Sequence, residues 1–483
     1  MPRLSEQIIP RRKLVLLASE TILLVSVLFL GTSLPPLATR GVEFAWESAL
    51  MWRGIATATG LALVCQLAMG YSDLYDWRVA QNRAELPNRL MHAAGYALLM
   101  IAAAAFLVPS LFCFPGLAHP DGETWKIILL LVVGFALVWG CRRAFHWFFY
   151  KWNFGEHVLV FGSGPQGQTI AHMIEQSPFA GFEIMGLVRT DNDPQPDSAA
   201  NAVAPPSSRV LGNADQLVQL AQEQRASRVV VALEERRGTL PVQQLLALRM
   251  AGVNVEEKEA MYERITGKIA VQSMRPSYLI FGGGFQKHAV AEAIKRVLDI
   301  LVSLIGLTLA LPVCLITAVL IKLDSKGPIF FAQERVGQSG TTFHVLKFRT
   351  MRTDAEAAGP QWATKNDSRV TRIGRFLRIS RIDEIPQMLN VLTGKMSFVG
   401  PRPERPVFVE ELSRKIPYYP LRHTVKPGLT GWAQVNHPYG ASVEDAAEKL
   451  RYDLYYVKNM GPLFDLNIIF RTVGVILFGK GAR

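Results

Sequence analysis

Asp383 and Glu384 stand side by side and are followed by Ile385 and Pro386. Adjacent carboxylates can bind a divalent cation, attack as nucleophiles or exchange protons. Proline disfavours helical geometry at the residue before it and favours a helix that begins at itself. The sequence therefore predicts the acidic pair at a helix entrance, where free N–H groups and the positive end of the dipole receive phosphate oxygens. Taken alone, such a pair is an ordinary N-terminal charge cluster. Its surroundings argue for more. Arginines recur at Arg369, Arg372, Arg375, Arg378 and Arg381, a spacing that drifts about 60° per step around a helix. Some must then face solvent or lipid headgroups and others a site. Lys347-Phe-Arg349-Thr-Met351, Gly400-Pro-Arg402-Pro403 and Lys426-Pro-Gly428-Leu-Thr-Gly431-Trp432 set rigid turns around cations, as fixing a diphosphate requires.

The elements that must position these groups are unusually apolar. The chain has 483 residues, 49% of them hydrophobic, with a formal net charge of +12. That charge suits a partner carrying phosphate: nucleic acid, anionic lipid or a phosphorylated substrate. Apolar stretches run over Leu14–Leu34, Leu50–Met69, Leu90–Phe114 and Trp125–Phe149, each near the roughly 20 residues that span a bilayer. Arg11, Arg12 and Lys13 precede the first, Arg78, Arg83 and Arg89 separate the second from the third, and Arg142, Arg143 and Lys151 close the fourth. The positive-inside tendency then puts both ends of a four-helix bundle (1–152) in the cytoplasm. With no small-residue cleavage site after it, the first stretch reads as a retained anchor. Cys65, Cys113, Cys141 and Cys314 lie in or beside apolar runs without metal or redox spacing, so they read as buried or lipid-facing residues.

From His157 the pattern becomes α/β. The strands expected at His157–Phe161, Phe182–Val188 and Arg228–Leu233 alternate with helices, and a Pro-rich surface loop covers Thr190–Ser208. This middle domain (153–275) holds Gly162-Ser-Gly164-Pro-Gln-Gly167 after its first strand, the turn that brings backbone N–H groups against a pyrophosphate. Gly162, Gly164 and Gly167 are therefore candidate cofactor contacts. The acidic residue that would hold a ribose is missing at the end of the second strand, where Arg189 follows Val188. A last unit (276–483) opens with the apolar stretch Val297–Ile321. Its flanks are basic on both sides, and Pro312 near its centre can bend a helix. A helix, break and helix that enters and leaves by one leaflet is expected there.

From Lys295 onward the chain resembles the bacterial sugar transferase family, the monotopic polyprenyl-phosphate phosphoglycosyl transferases. Gln333-Glu-Arg-Val-Gly337, Lys347-Phe-Arg-Thr-Met351, the Asp-Glu pair before Ile-Pro-Gln, Ser397-Phe-Val-Gly-Pro-Arg-Pro403 and Lys426-Pro-Gly-Leu-Thr-Gly-Trp-Ala-Gln-Val435 carry the resemblance. The whole architecture resembles the long subfamily that starts exopolysaccharide or O-antigen repeat units. Arg402-Pro-Glu-Arg-Pro406 and the ending Phe478-Gly-Lys-Gly-Ala-Arg483 look closest to exopolysaccharide transferases of the EpsB type, associated with PEP-CTERM systems. One departure stands out. Many relatives continue with Asn-Gly-Arg-Asn where this chain has Asn436-His437-Pro438-Tyr439-Gly440, so an arginine expected near substrate is missing.

The resemblance implies a multi-domain membrane protein: an α-helical transmembrane bundle, a Rossmann-like α/β domain and an α-rich transferase domain with a re-entrant helix over 297–321. It implies transfer of a sugar-1-phosphate from a UDP-sugar to undecaprenyl phosphate on the cytoplasmic face of the bacterial inner membrane, with UMP released. Asp383 would be the nucleophile, Glu384 a partner in metal binding or proton exchange, and both would hold Mg²⁺. Lys347, Arg349, Arg378 and Arg402 would bind phosphate, and Asp453 would add a supporting polar contact. Expected partners are the two substrates, membrane lipid, downstream glycosyltransferases and a second copy in a homodimer, with no nucleic acid. Two rivals are a membrane-anchored NAD-dependent nucleotide-sugar dehydratase and a non-enzymatic assembly scaffold. Against the first, no tyrosine has a lysine four residues later; the second leaves the C-terminal motifs without purpose.

Overall fold

A computed structural model describes the backbone over residues 11–40, 48–72, 74–75, 85–107, 124–151, 156–177, 181–190, 193, 204–233, 240–271, 278, 284–285, 289–353, 355, 367–437, 440 and 442–478. The four N-terminal apolar stretches form α1 (Arg11–Arg40), α2 (Ser48–Tyr71), α3 (Glu85–Leu107) and α4 (Thr124–Lys151). Small residues such as Ala58, Ala62, Ala93 and Ala97 are fully buried between them, which lets the backbones approach closely. Large apolar side chains, among them Ile22, Trp52, Leu99 and Val132, point outward. Among the described residues, however, two helices are both long and apolar enough to cross a bilayer: α4 through Ile128–Phe145, and α9 (Ala289–Asp324). The apolar parts of α1, α2 and α3, at Val15–Gly31, Gly54–Gly70 and Arg89–Ala102, are shorter.

Arg142 corrects one sequence expectation. It is not a flanking charge but is fully buried on Glu20, with Nε–Oε1 at 2.5 Å, and it donates to the Leu74 carbonyl at 2.5 Å. A charge inside a helix bundle is tolerable only when paired in this way.

The middle domain is a doubly wound sheet. Strands β1 (Glu156–Phe161), β2 (Phe182–Arg189), β3 (Val210–Asn213), β4 (Arg228–Val231) and β5 (Asn254–Glu257) are all parallel, in the order β3-β2-β1-β4-β5. Alternate residues of β1 serve opposite faces. Leu159 and Phe161 join α6 (Leu217–Glu223) and α7 (Val242–Met250), while Val158 and Val160 join α5 (Pro165–Glu175) and α8 (Lys258–Thr266). The short strands β3 and β5 carried too few apolar residues to be read from sequence. The expected Pro-rich loop lies mostly outside the described residues.

The last unit is richer in strand than expected. Antiparallel β6 (Phe330–Val336) and β7 (Thr342–Phe348) form one pair, and parallel β8 (Ser397–Val399) and β9 (Gly428–Thr430) another. Around them pack α10 (Arg372–Ser380), α11 (Gln387–Leu392), α12 (Pro406–Lys415), α13 (Trp432–Asn436), α14 (Val443–Asn459) and α15 (Pro462–Phe478). α9 runs without interruption through Pro312, so the expected break is absent as a gap. Loss of one backbone donor is a local defect that a long apolar helix absorbs.

Candidate active site

Three segments converge. β7 presents Lys347, a 3₁₀ turn over Ile382–Glu384 presents the acidic pair, and the loop after β8 presents Arg402. α10 begins on Thr371, whose hydroxyl accepts from Gly374 N at 3.0 Å, and ends on Arg381 with φ of 59°. That left-handed residue breaks the helix and redirects the chain into the acidic turn. Asn390 of α11 accepts from Leu346 N at 2.9 Å and donates to the His344 carbonyl at 2.8 Å, which fixes β7 beside the turn. The β8 and β9 backbones pass so closely that a Cβ on Gly400 would lie 2.4 Å from the Lys426 carbonyl. Only glycine fits there.

Glu384 is the electrostatic hub. Its Oε1 accepts from Arg402 at 2.7 Å and from Lys347 at 3.1 Å, with Arg381 at 3.8 Å. Burial alone would raise this carboxyl, but Arg402 and Lys347 outweigh it and hold it well below the ordinary range. Asp383 is placed oppositely. It is 8% exposed, and its Oδ1 has no hydrogen-bond partner among the described residues. Burial, then the Glu384 charge, pushes its carboxyl up. Beside the pair a small open cleft is lined by Arg335, Val345, Lys347, Gln387, Arg402 and Pro403. A concave wall with three cations suits a diphosphate.

The helix-entrance expectation needs correction. α11 starts at Gln387, and the carboxylates belong to the preceding 3₁₀ turn. The N–H groups of Glu384, Ile385, Met388 and Leu389 already donate to carbonyls at Arg381, Ile382, Ile385 and Pro386. Anion binding therefore falls to side-chain cations. Lys347 and Arg402 are assembled as expected, and Arg378 approaches through Thr350, donating to its hydroxyl at 3.0 Å.

Arg349 and Asp453 lie elsewhere. The Arg349 guanidinium donates to the Lys326 carbonyl at 3.0 Å and the Ser325 carbonyl at 2.8 Å, bracing the chain just past the C-terminal end of α9, where cations are favoured. Asp453 is buried against Arg422 at 2.7 Å. Arg335, Gln387 and Arg422 were missed. Arg335 and Gln387 stood inside quoted motifs, but Arg422 has no spacing signal. At the end of α13, Asn436 Oδ1 accepts from Arg471 at 3.2 Å and His437 pairs with Asp445 at 3.3 Å; Pro438 and Tyr439 lie outside the described residues.

The glycine-rich turn is built but closed. A Cβ on Gly167 would fall 1.8 Å from the Gly162 carbonyl, so α5 packs tightly on β1 as in dinucleotide folds. Yet Asp193 Oδ2 accepts from Ser163 N and Thr190 N, both at 2.9 Å. A carboxylate of the protein itself takes the N–H that a phosphate would use. Gly162, Gly164 and Gly167 thus shape the turn.

Residues 290–479 match the family described as bacterial sugar transferase, and residues 71–255 match a CoA-binding domain. A UDP-glucose:undecaprenyl-phosphate glucose-1-phosphate transferase of Klebsiella pneumoniae is 31% identical over 433 residues, covering 87% of this chain and 88% of the relative. The chain belongs to the bacterial sugar transferase family. A similarly named glucose-1-phosphate transferase of Escherichia coli is 34% identical, over 65% of this transferase and 66% of the relative. The UDP-N-acetylgalactosamine-undecaprenyl-phosphate N-acetylgalactosaminephosphotransferase of Aeromonas hydrophila is 43% identical over 234 residues. That match covers 48% of this transferase and about half, 55%, of the relative.

Proposed function

We propose that this transferase moves a sugar-1-phosphate from a UDP-sugar to undecaprenyl phosphate, giving UMP and a polyprenyl-diphosphate sugar. This would be the first membrane step of exopolysaccharide or O-antigen synthesis. The observation that carries the reading is the division of labour between the two acids. Glu384 is held by Lys347 and Arg402, whereas the Asp383 carboxylate has a buried oxygen without a partner among the described residues. An unpaired, desolvated carboxylate beside a cationic cleft is poised to attack phosphorus.

In the first step an Asp383 oxygen bonds to the sugar-bearing β-phosphorus as its bond to the bridging oxygen breaks, and UMP leaves with that electron pair. In the second, an oxygen of polyprenyl phosphate attacks the same phosphorus and the Asp383 carboxylate is restored. Lys347, Arg402 and Arg335 line the cleft and balance the negative charge on the equatorial oxygens, and Arg378 adds positive charge near Asp383. Among the described residues no cluster of three metal-ligating side chains occurs. One or two carboxylates plus substrate phosphates are enough for Mg²⁺, and Asp383 Oδ1 is a fitting donor, with Glu384 beside it. Bound there, Mg²⁺ would neutralise diphosphate charge.

The membrane arrangement follows the same reading. Both ends of α9 pack on the transferase unit: Lys295 pairs with Asp465 at 2.6 Å, and Asp324 accepts from Ile373 N at 3.3 Å. Its middle exposes Leu304, Leu309, Val313 and Ile316. A helix anchored at both ends on one domain supports entry and exit by a single leaflet, with α1–α4 crossing the inner membrane and the site in the cytoplasm. The second substrate is then presented at the membrane surface. A homodimer and downstream glycosyltransferases remain proposals of the sequence.

The test is purified full-length protein in a membrane mimetic, offered several UDP-sugars with and without undecaprenyl phosphate. One UDP-sugar should give continuous UMP release only with the lipid, with radiolabelled sugar phosphate in the lipid fraction. Without lipid, release should stop near one UMP per protein. No UMP with any UDP-sugar would refute the reading.

A further inference from the structure

Arg402 is useful only if its guanidinium stays on Glu384, and its own loop offers no regular structure to keep it there. What holds the loop is a row of carbonyl contacts. The Arg402 carbonyl accepts from Arg422 at 3.0 Å, the Pro403 carbonyl from Arg335 at 3.1 Å and the Glu404 carbonyl from Val336 N at 2.9 Å. Arg422 is the deepest of these supports. It is 5% exposed, donates through its other terminal nitrogen to the Tyr419 hydroxyl at 2.6 Å, and is neutralised by Asp453 at 2.7 Å, itself 2% exposed. Neither side chain lines the cleft.

A buried ion pair is weak evidence for stability, because well-packed apolar residues often serve as well or better. A guanidinium does something apolar residues cannot: its Nη2 lies 2.7 Å from a carboxylate oxygen on α14 and donates at 3.0 Å to a carbonyl beside the site, while Nη1 is held by Tyr419. We propose that Arg422 and Asp453 are positioning residues, which hold the Arg402 backbone so that its guanidinium stays on Glu384 at 2.7 Å. They set the rate of phosphoryl transfer more than the affinity for sugar nucleotide. This rests on the transfer reaction proposed above.

The experiment is a double-mutant cycle on full-length protein in a membrane mimetic, with UMP release and thermal unfolding measured for each variant. Asp453→Asn and Arg422→Lys should each lower kcat about 30-fold while KM for the sugar nucleotide changes less than about threefold. In an Arg402→Lys background, which keeps measurable turnover, Asp453→Asn should cost less than about threefold, because the group it positions is already altered. Equal fold losses in both backgrounds, a change in KM alone, or wild-type kcat in both single variants would overturn the proposal. So would failure of both single variants to fold, which would make the pair a stability element. A wild-type protein that releases no UMP would instead refute the transferase reading itself.

Discussion

The glycine-rich turn of the middle domain and the acidic turn of the transferase domain both carry residue types that handle phosphate. They differ in the charges that the protein sets against them. In the first, Asp193 caps the N–H groups of Ser163 and Thr190, so the anion position is filled from within. In the second, Glu384 is matched by Lys347 and Arg402, while Asp383 Oδ1 is buried without a partner among the described residues. Buried polar atoms are nearly always paired; Ser163 Oγ in the first turn is an exception too, so what sets Asp383 apart is the row of cations beside its turn, Lys347, Arg402 and Arg381.

That contrast can be broken in three places. The largest effect is expected at Asp383. Asp383→Asn should cut turnover by at least about 10³-fold. Because burial raises the Asp383 carboxyl in the folded protein, its stabilising contribution is present below the unfolded pKa and lost as pH rises through the folded one. Thermal unfolding at neutral pH should therefore show no loss of stability in the variant. A marked drop in melting temperature would make Asp383 a structural group.

Glu384→Gln should lower turnover by about 10²-fold and stability by about 2–3 kcal/mol, since Lys347 and Arg402 lose the anion between them. The Glu384 carboxyl is held below its ordinary range, so its contribution is present above the unfolded pKa and lost as pH falls through the folded one. Unfolding followed from neutral to acid pH should be less acid-sensitive in the variant than in wild type. Equal acid sensitivity would remove Glu384 from the centre of the cluster.

Asp193→Ala should have the smallest effect. Loss of two cap contacts costs about 1 kcal/mol in unfolding, and UMP release should stay within about twofold of wild type. Titration of the wild-type protein with NADH or CoA should show no saturable binding. Saturable binding would mean that Asp193 yields to a ligand, and the contrast between the two turns would fail.

The three-part organisation was legible because it rests on composition and local period: apolar stretches, strand–glycine turn–helix, and rigid Pro and Gly turns around cations. Lys347, Asp383, Glu384 and Arg402 were legible because each stands in a motif. Arg349 stood in one too, yet its guanidinium braces the chain past α9. A motif fixes which residue types occur, whereas the packing around them decides which way each side chain turns. The expected flank charge at Arg142 failed for the same reason, its partner Glu20 being distant in sequence.

The sequence by itself determined the family, the acidic pair and the cations available to it, because residue identity and short spacing survive any fold that contains them. Only the tertiary structure decided that one oxygen of Asp383 is left without a partner among the described residues while Glu384 is held, that Asp193 caps two N–H groups at the glycine-rich turn, and that Arg422 and Asp453 brace Arg402. Those outcomes depend on desolvation and on contacts between residues remote in the chain. Neither quantity exists until the chain has folded.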